Sequence, residues 1–406
     1  MDTVYADNNA TTAVAPEVVE AMMPFLTGEY FNPSSMYERA RGTAQALAAA
    51  RRAVARTLGT RDPEQIVFTG SATEANNHAL LGALRANPGR RHVITSAVEH
   101  PSIHELAKDL QRQGVEVTFV PVDRQGRLDL RAFVRALRAD TLLVSIMHAN
   151  NETGVIFPVE QLARLTKETD PAILFHTDAT QSVGKLPMDL DGALAHVDLL
   201  SFSGHKLHAP KGVGVLFLRR GARVRPLILG GHQEAGRRAG TENVPCIAGL
   251  ARACELAREH LDEEEHRVRA LRDRLEEGLV AAIPHVEVNG RGAARLPNTL
   301  NVAVHYIEGE GMLYQLDAHG ICASSGSACT SGSLEPSHVL RAMGVPFTAV
   351  HGSIRFSLSR YNRDADVDRI LAVFPGIVAS LRRLSPYWDK DADRPRADAP
   401  AAGSAP

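Results

Sequence analysis

The sequence of 406 residues predicts an α/β fold, with a large domain followed by a smaller α+β domain. Three observations support this prediction. The composition, 44% hydrophobic and 23% charged, is typical of a globular chain with a sizeable core. Short apolar runs alternate with helical patterns between about residues 43 and 262. From about Leu261 onward, a long charged helical pattern replaces that alternation.

Seven apolar, β-branched runs are the predicted strands of the large domain. Their nearly continuous apolar character is typical of strands buried on both faces of a sheet, and the helices between them indicate a mostly parallel sheet. The runs are Ile66–Thr69, Val93–Thr95, Val115–Val120, Leu142–Met147, Ile173–His176, Val197–Phe202 and Val213–Leu218.

Helical patterns fill the gaps between these strands. Apolar residues share one face in the segment that ends near Leu58, and Gly59 follows as a C′ residue. The segment that ends near Leu110 has the same pattern and is closed by Gly114. We therefore expect helices on both faces of the sheet.

The rest of the chain predicts the smaller domain. Its predicted elements are a helix (Asp262–Leu279), a strand (Thr299–Tyr306), a helix (Glu310–His319), a strand (Ser353–Ser359) and a final helix (Asp364–Leu384). We expect the large domain to span residues 16–261 and the small domain to span 1–15 and 262–390. The Ala/Pro/Asp-rich tail, 391–406, is expected to be disordered.

Charge and cysteine content exclude several classes of function. Lys plus Arg is 45 and Asp plus Glu is 47, so the net charge of −2 offers no broad basic surface for nucleic acid. The sequence has no apolar run of membrane-spanning length and no secretion signal at its start. Its four cysteines form no C-x-x-C pair, which favours reduced thiols and a cytoplasmic protein.

Reactive side chains follow five of the apolar runs, at the sheet edge where α/β proteins bind ligands. Ser203-Gly204-His205-Lys206 follows one run, and a lysine with a desolvated stem can carry a Schiff base there. A solvated lysine on a loop rim is the alternative. Asp178 follows another run, with Gln181 close behind. Its carboxylate could pair with a protonated pyridine nitrogen or act as a helix N-cap.

Three further strand ends complete the set. The turn Gly70-Ser71-Ala72-Thr73-Glu74 leads into a helix and could seat a phosphate, although a simple capping pattern looks the same. His100 could stack on a flat cofactor and act in catalysis by shuttling protons, or be structural. Asn151 could bond a ring substituent or a carboxylate, or belong to an ordinary turn. A phosphate seat, a stacking ring, an amide, an acid and a lysine together indicate a site for pyridoxal phosphate.

Two candidate residues lie in the predicted small domain. Cys329 stands among ten small residues, 324–333, which predict an exposed, mobile loop with an accessible thiol. A spare surface cysteine is the alternative. Arg355 lies inside a strand pattern and needs an anionic partner, which is either a substrate carboxylate or an internal ion pair.

The chain resembles the cysteine desulfurases of the NifS/IscS type, which are fold type I, class V pyridoxal-phosphate enzymes. The resemblance extends from Asp7-Asn8-Asn9-Ala10-Thr11-Thr12 to about Trp388. It is most specific at Ser203–Lys206, Ser324–Ser331 and Ser353–Ser357. The segments His205–Gly212 and Arg237–Asn243 favour the NifS branch. The family's usual Gly and His near the start are Phe31 and Tyr37 here.

The resemblance implies a role for each candidate residue. Lys206 would carry the cofactor, Asp178 would pair with the pyridine nitrogen, Gln181 would bond the ring hydroxyl and His100 would stack on the ring. Ala72, Thr73, Ser203 and His205 would hold the phosphate, with Thr241 reaching in from the partner subunit of a homodimer. Asn151 and Arg355 would hold the substrate carboxylate. Cys329, on a mobile loop of about residues 323–334, would accept sulfur and also contact an iron–sulfur cluster.

The activity implied is removal of sulfur from L-cysteine, which leaves L-alanine and a persulfide on Cys329. The sulfur would pass to an acceptor protein for iron–sulfur cluster assembly, and the NifS-like segments favour nitrogenase maturation. Housekeeping cluster assembly with tRNA thiolation, a selenocysteine lyase, an aminotransferase and a non-catalytic iron–sulfur scaffold are the alternatives.

Overall fold

The computed structural model describes residues 3–325, 336–396 and 399. Strands and helices are numbered here in chain order. The strands are β1 (Val4–Tyr5), β2 (Ile66–Thr69), β3 (His92–Ser96), β4 (Glu116–Val120), β5 (Thr141–Ser145), β6 (Leu174–Asp178), β7 (Leu199–Ser203), β8 (Gly214–Leu218), β9 (Val286–Val288), β10 (Thr299–Val304), β11 (Ile321–Cys322), β12 (Ser324–Ser325), β13 (Ser353–Ser357), β14 (Trp388–Asp389) and β15 (Arg394–Pro395).

The α-helices alternate with these strands along the first two-thirds of the chain. They are α1 (Pro16–Thr27), α2 (Ala40–Thr57), α3 (Ala72–Ala86), α4 (Pro101–Arg112), α5 (Leu130–Ala136), α6 (Val159–Thr169), α7 (Val244–Glu259), α8 (Leu261–Glu263), α9 (Arg269–Ala282), α10 (Gly309–Ala318), α11 (His338–Ala342), α12 (Phe347–Val350) and α13 (Asp364–Arg382). None of these described helices is long and apolar enough to cross a lipid bilayer.

A seven-stranded sheet organises the large part of the molecule. Its order is β2-β8-β7-β6-β5-β3-β4, and β8 is antiparallel to both of its neighbours while the other pairs are parallel. The prediction of seven strands in a mostly parallel sheet is therefore confirmed, with strand ends shifted by one or two residues. Because six strands run the same way, their carboxyl ends meet at one edge.

Alternating side chains of the sheet pack into two apolar clusters, one on each face. Ile66 and Phe68 of β2 belong to one cluster, which helices α1, α2 and α7 cover. Val67 belongs to the other, which α3 and α4 cover. The predicted end of α2 is also confirmed, because Gly59 has a φ of +68° and a side chain there would meet the Met188 carbonyl.

A C-terminal unit packs around a third apolar cluster. It is formed by the elements from α8 onward with the N-terminal strand β1, although the apolar residues of α11 and α12 pack in the first cluster, against the large sheet. Its antiparallel sheet has the order β12-β13-β10-β9, and α9, α10 and α13 contribute to the cluster. The parallel pairing of β1 with β11 brings the residues after Tyr5 toward β13, where Asp7 forms a bridge with Ser357. This route carries the start of the chain to the edge of the large sheet.

Two expectations for the C-terminal part need correction. The predicted helix Asp262–Leu279 is interrupted by a π-helical turn at Glu264–Val268, and Glu264 and Val268 are buried. The predicted disorder from residue 391 is wrong for residues 391–396, because β15 pairs with β14. Buried Trp388 anchors that pair, since its indole Nε1 donates to Asp393.

Candidate active site

A cavity of about 270 Å³ opens at the carboxyl ends of the sheet strands. It brings together the residues that the sequence assigned to one site, from both the large sheet and the C-terminal unit. Ten of the predicted site residues line it: Ala72, Thr73, His100, Asn151, Asp178, Gln181, Ser203, His205, Lys206 and Arg355.

Lys206 lies in a 3-10 turn, Gly204–Lys206, directly after β7. Its Nζ donates to the carbonyl oxygens of Asn9 and Ala10, at 2.6 Å each. These oxygens belong to residues Asp7–Thr12, called the N-terminal segment below. The segment is fastened there because the Thr12 hydroxyl donates to the His205 carbonyl. Lys206 is therefore held inside the cavity, which contradicts the alternative of a solvated lysine on a loop rim.

Asp178 ends β6 with its side chain buried. One carboxylate oxygen accepts from the Asn76 amide at 2.7 Å, and the other accepts from the Thr180 backbone N–H at 2.9 Å. A turn follows β6 rather than a helix, so Asp178 is not a helix N-cap. The carboxylate also lines the cavity, where it can pair with a cationic ring nitrogen.

The turn between β2 and α3 forms an anion cradle. Ser71 is the N-cap of α3 and its hydroxyl accepts from the Glu74 N–H, while Glu74 accepts from the Gly70 N–H. The capping pattern is present, and it is compatible with the predicted phosphate seat because Ala72 and Thr73 of the first turn line the cavity. Gly214 of β8 passes so close that a side chain there would lie 2.5 Å from Ser71.

His100 caps α4 and lies at the cavity wall. Its Nδ1 accepts from the Ser102 N–H at 3.1 Å and contacts the Ser102 hydroxyl at 2.8 Å. Burial lowers the pKa of His100, and Lys206 lowers it further, against the opposing effect of Asp178. The lowered pKa favours the neutral ring, as suits a ring that stacks on a flat cofactor.

Arg355 reaches the cavity from β13 of the C-terminal unit. One terminal nitrogen donates to the Asn151 carbonyl at 2.9 Å and the other to the Asp7 carboxylate at 2.9 Å. The internal ion pair that the sequence left open is therefore present. Arg355 Nε and Asn151 Oδ1 are nevertheless buried without a hydrogen-bond partner among the described residues. A polar ligand between them would satisfy both atoms.

Two buried carboxyl groups lie directly beside site residues in the chain. Burial raises the pKa of Glu99, next to His100, to about 8 and the pKa of Glu152, next to Asn151, to about 7. Glu99 accepts from the Ser96 hydroxyl at 2.6 Å, and Glu152 accepts from the Ser337 hydroxyl at 2.5 Å. The second bond joins Ser337 to the residue that follows Asn151.

Sequence reasoning missed several residues of this site. Asn9 and Ala10 act through backbone carbonyls, and Asn76 and Ser102 support Asp178 and His100 from helices. A buried asparagine on the inner face of a predicted helix could have drawn attention to Asn76. No side-chain signal marks a carbonyl oxygen.

Two predicted residues remain, one that does not line this cavity and one that the structure does not describe. Thr241 is exposed and does not line it. The nearby Arg238 pairs with Glu74 at 2.9 Å. Cys329 lies outside the described residues, so its predicted roles as sulfur acceptor and iron–sulfur contact stay predictions. Within the described ranges, no cluster of three or more His, Cys, Asp or Glu side chains could hold a metal ion.

Comparison with known proteins gives one consistent family. The model of the family Aminotransferase class-V matches residues 4–370. A cysteine desulfurase of Gluconacetobacter diazotrophicus is 57% identical over 390 residues, 96% of each chain. The cysteine desulfurase NifS of Azotobacter vinelandii is 53% identical over 388 residues, also 96% of each chain.

Solved structures agree with these sequence matches. A NifS-like protein of 40% identity superposes with a TM-score of 0.87 and covers 93% of this chain and 100% of its own. A structure described as SspA in complex with cysteine, 34% identical, has a TM-score of 0.77 and covers 89% of this chain and 100% of its own.

Proposed function

The chain belongs to the class-V aminotransferase family, among its pyridoxal-phosphate-dependent cysteine desulfurases, and on that premise we propose that it transfers sulfur from L-cysteine to Cys329 and from there to an acceptor protein. The observation that carries the proposal is the convergence of Lys206, Asp178 and Arg355 on one cavity. The resemblance, the fold class, the enzyme class and the cofactor predicted from the sequence are confirmed.

The residues of the cavity fit pyridoxal phosphate. The first turn of α3 offers unpaired N–H groups to the phosphate, and Asp178 offers a carboxylate to the ring nitrogen. Gln181 Oε1 and Thr180 Oγ1 are buried without a partner in the described part of the chain, so the cavity wall has polar atoms to satisfy. When bound, this cofactor supplies an electron sink for a carbanion at the substrate Cα.

Lys206 is the residue that takes the Cα proton. Its Nζ lies between the cavity and the carbonyl oxygens of Asn9 and Ala10. Those oxygens stabilise the ammonium that forms when the amine accepts a proton, because each accepts a charge-assisted hydrogen bond. Asp178 also lines the cavity, and two donors fix the orientation of its carboxylate.

Arg355 and Asn151 orient the substrate. The buried guanidinium is already fixed by Asp7 and by the Asn151 carbonyl, so it loses little freedom when it binds a carboxylate. The unpartnered Nε of Arg355 supplies the donor for that carboxylate. This geometry favours α-amino acids over amines without a carboxylate.

Cys329 receives the sulfur in this proposal. Its thiolate attacks the substrate sulfur, an S–S bond forms, the Cβ–S bond breaks, and the electron pair of that bond remains on the three-carbon fragment. Protonation of the fragment yields alanine. The small residues around Cys329 in the sequence favour an accessible thiol.

The test is turnover of L-cysteine by the holoenzyme with a thiol reductant, with alanine and sulfide quantified. Cys329→Ala is expected to keep the bound cofactor yet form neither product, and mass spectrometry of the wild type should find one added sulfur atom on Cys329. Cys246→Ala, which changes a half-buried helical thiol, is the matched control and should turn over normally. Full turnover by Cys329→Ala would contradict the role, and a preference for L-selenocysteine would favour the lyase.

We propose nitrogenase cluster maturation as the destination of the sulfur, with an iron–sulfur scaffold as the acceptor. The NifS-like segments of the sequence and the name of the Azotobacter vinelandii relative, cysteine desulfurase NifS, support this choice. Expression in a nitrogen-fixing host that lacks its own NifS should restore growth on dinitrogen. Rescue of a housekeeping desulfurase mutant alone would favour the alternative. Both roles place the enzyme in the cytoplasm.

A homodimer is also part of the proposal. Large apolar side chains are exposed on α1 and in the loop after it, including Leu26, Tyr30 and Met36, which is 99% exposed. Such a patch is typical of an interface. A partner subunit seated there would allow Thr241 to serve the partner's phosphate site. The molar mass in solution tests this: a dimer is expected, and Leu26→Asp should weaken it.

A further inference from the structure

A second buried lysine, Lys185, lies directly behind Lys206. It follows β6 in the turn that also carries Gln181, and only 7% of its surface is exposed. Its Nζ donates to the Gln181 carbonyl at 3.2 Å and to the Lys206 carbonyl at 3.4 Å. One ammonium therefore holds the backbone of two residues whose side chains line the active-site cavity.

Glu264 faces Lys185 from the C-terminal unit. It belongs to the π-helical turn, and one carboxylate oxygen accepts from the Arg360 N–H at 3.3 Å. Its other oxygen is buried with no hydrogen-bond partner in the described ranges. A cavity of about 10 Å³, at the lower limit for one water molecule, is lined by Lys185, Glu264, Lys206 and Arg360.

For both Lys185 and Glu264, burial disfavours the charged form of the side chain. Burial lowers the pKa of Lys185 to about 8 despite the opposing effect of Glu264. Burial also raises the pKa of Glu264, although Lys185 and Arg360 oppose that change. Apolar side chains of similar volume would often be at least as stable, so a contribution to stability alone does not explain these charges. A requirement for the carbonyl contacts of Lys185 does explain them.

We propose that Lys185 is a positioning residue for the cofactor-binding lysine, and that Glu264, which faces it from the C-terminal unit, helps to retain it there. This inference rests on the proposed function of Lys206. Lys185 fixes the backbone from which Lys206 and Gln181 project, so that both side chains meet the cofactor without reorganisation. Contacts between the C-terminal unit and the sheet thereby determine the geometry of the reacting amine.

The experiment compares Lys185→Met with wild type in the full-length holoenzyme. The variant keeps the length and apolar stem of the side chain but donates no hydrogen bond. Pyridoxal phosphate should bind about tenfold more weakly to the apoenzyme, as expected when bonds from a charged group are lost. The kcat for cysteine should fall roughly ten- to a hundredfold while KM changes little, because a misplaced amine slows the chemical step.

Lys167→Met is the matched control. Lys167 also donates to two backbone carbonyls, those of Pro171 and Ile173, and pairs with a carboxylate, that of Asp198 at 2.6 Å. It does not line the active-site cavity. Its loss should lower thermal stability without changing cofactor affinity or the visible absorbance of the holoenzyme.

A double variant separates positioning from stability. Lys185→Met leaves Glu264 buried without the ammonium that faces it, whereas Lys185→Met with Glu264→Gln removes both ionisable groups and should recover thermal stability but not kcat or cofactor affinity. Recovery of all three would overturn the proposal, as would wild-type kcat and affinity in Lys185→Met. If Lys206→Ala still bound the cofactor covalently, the proposed function would fail instead, and the two failures are thereby distinguished.

Discussion

Two walls of the active-site cavity are built in different ways. The wall at the strand ends presents reactive side chains, among them His100, Asp178 and Lys206. The opposite wall, the N-terminal segment Asp7–Thr12, contributes mainly backbone: the Asn9 carbonyl accepts from both Lys206 and the Gln181 side chain. The comparison shows that the side chains at the strand ends supply the chemistry. The N-terminal segment orients those side chains through backbone carbonyls, which no residue type marks in the sequence.

Among the side chains at the strand ends, replacement of Lys206 should cause the largest loss of activity. Lys206→Ala is expected to lose covalently held cofactor and to lower kcat by about a thousandfold or more, because proton transfer at Cα loses its base. Cofactor absorbance and alanine formation measure the two effects. Lys211→Ala, which removes an exposed lysine five positions away, is the control and should behave as wild type. Appreciable turnover by Lys206→Ala would contradict the claim that the strand-end side chains supply the chemistry.

Asp178 should have the next largest effect. Asp178→Asn preserves the size of the side chain but removes the charge that faces the ring nitrogen, so kcat should fall about a hundredfold, as when one charge-stabilising group is lost. Steady-state kinetics at saturating cofactor measure this. Asn76→Ala, which removes the amide that holds the carboxylate at 2.7 Å, should cause a smaller loss in the same direction. An unchanged kcat in Asp178→Asn would show that turnover does not require the charge of Asp178.

The N-terminal segment should affect substrate binding more than turnover. Asp7→Asn removes the negative partner of Arg355, which then loses its fixed orientation, and KM for L-cysteine should rise about tenfold while kcat changes little. Kinetics with cysteine over a wide concentration range measure the split. A large fall in kcat at constant KM would show that this wall takes part in the chemistry and would erase the distinction between the two walls.

The contact between His208, two residues after Lys206, and Ala13, directly after the N-terminal segment, should respond to acid. Its effect on turnover at neutral pH should be the smallest of those considered. Nδ1 of His208 contacts the Ala13 carbonyl at 2.9 Å, and burial lowers the pKa of His208 to about 4. The unfolded chain therefore binds more protons than the folded one between pH 6.5 and 4. The stability that His208 contributes above pH 6.5 is lost as the pH falls through that window, by up to roughly 3 kcal/mol.

Denaturant unfolding at several pH values tests this expectation. His208→Asn retains a donor, tolerates the positive φ of this position and cannot titrate, so the free energy of unfolding should depend less on pH between 6.5 and 4. His196→Asn, at an exposed position, should leave the slope as it is in wild type. If the free energy of unfolding depended on pH identically in all three proteins, His208 would not be the group that titrates in this range.

The fold and one wall of the site could be predicted from the sequence for a physical reason. Buried parallel strands require apolar runs, so the residue after each run is recognisable, as it is for Asp178 and Lys206. Seven runs predicted the seven strands of the large sheet. A side chain with distinctive chemistry at a predictable position is visible without a structure.

The rest depends on contacts between distant parts of the chain. The pairing of Asp7 with Arg355 joins residues 348 positions apart. The approach of Glu264 to Lys185 depends on a π-helical turn, which the periodicity of the sequence does not predict. Every residue has a carbonyl, so nothing distinguished Asn9 or Ala10. The pairing of β14 with β15 likewise depends on where one indole, that of Trp388, packs.

Chemical trapping of the cofactor tests the central claim most directly. The holoenzyme is reduced with borohydride, digested, and its peptides are mapped by mass spectrometry. The account predicts a single reduced pyridoxyl group on the peptide that contains Lys206. A group on Lys185, the other lysine buried beside the cavity, or no modified lysine at all, would contradict it.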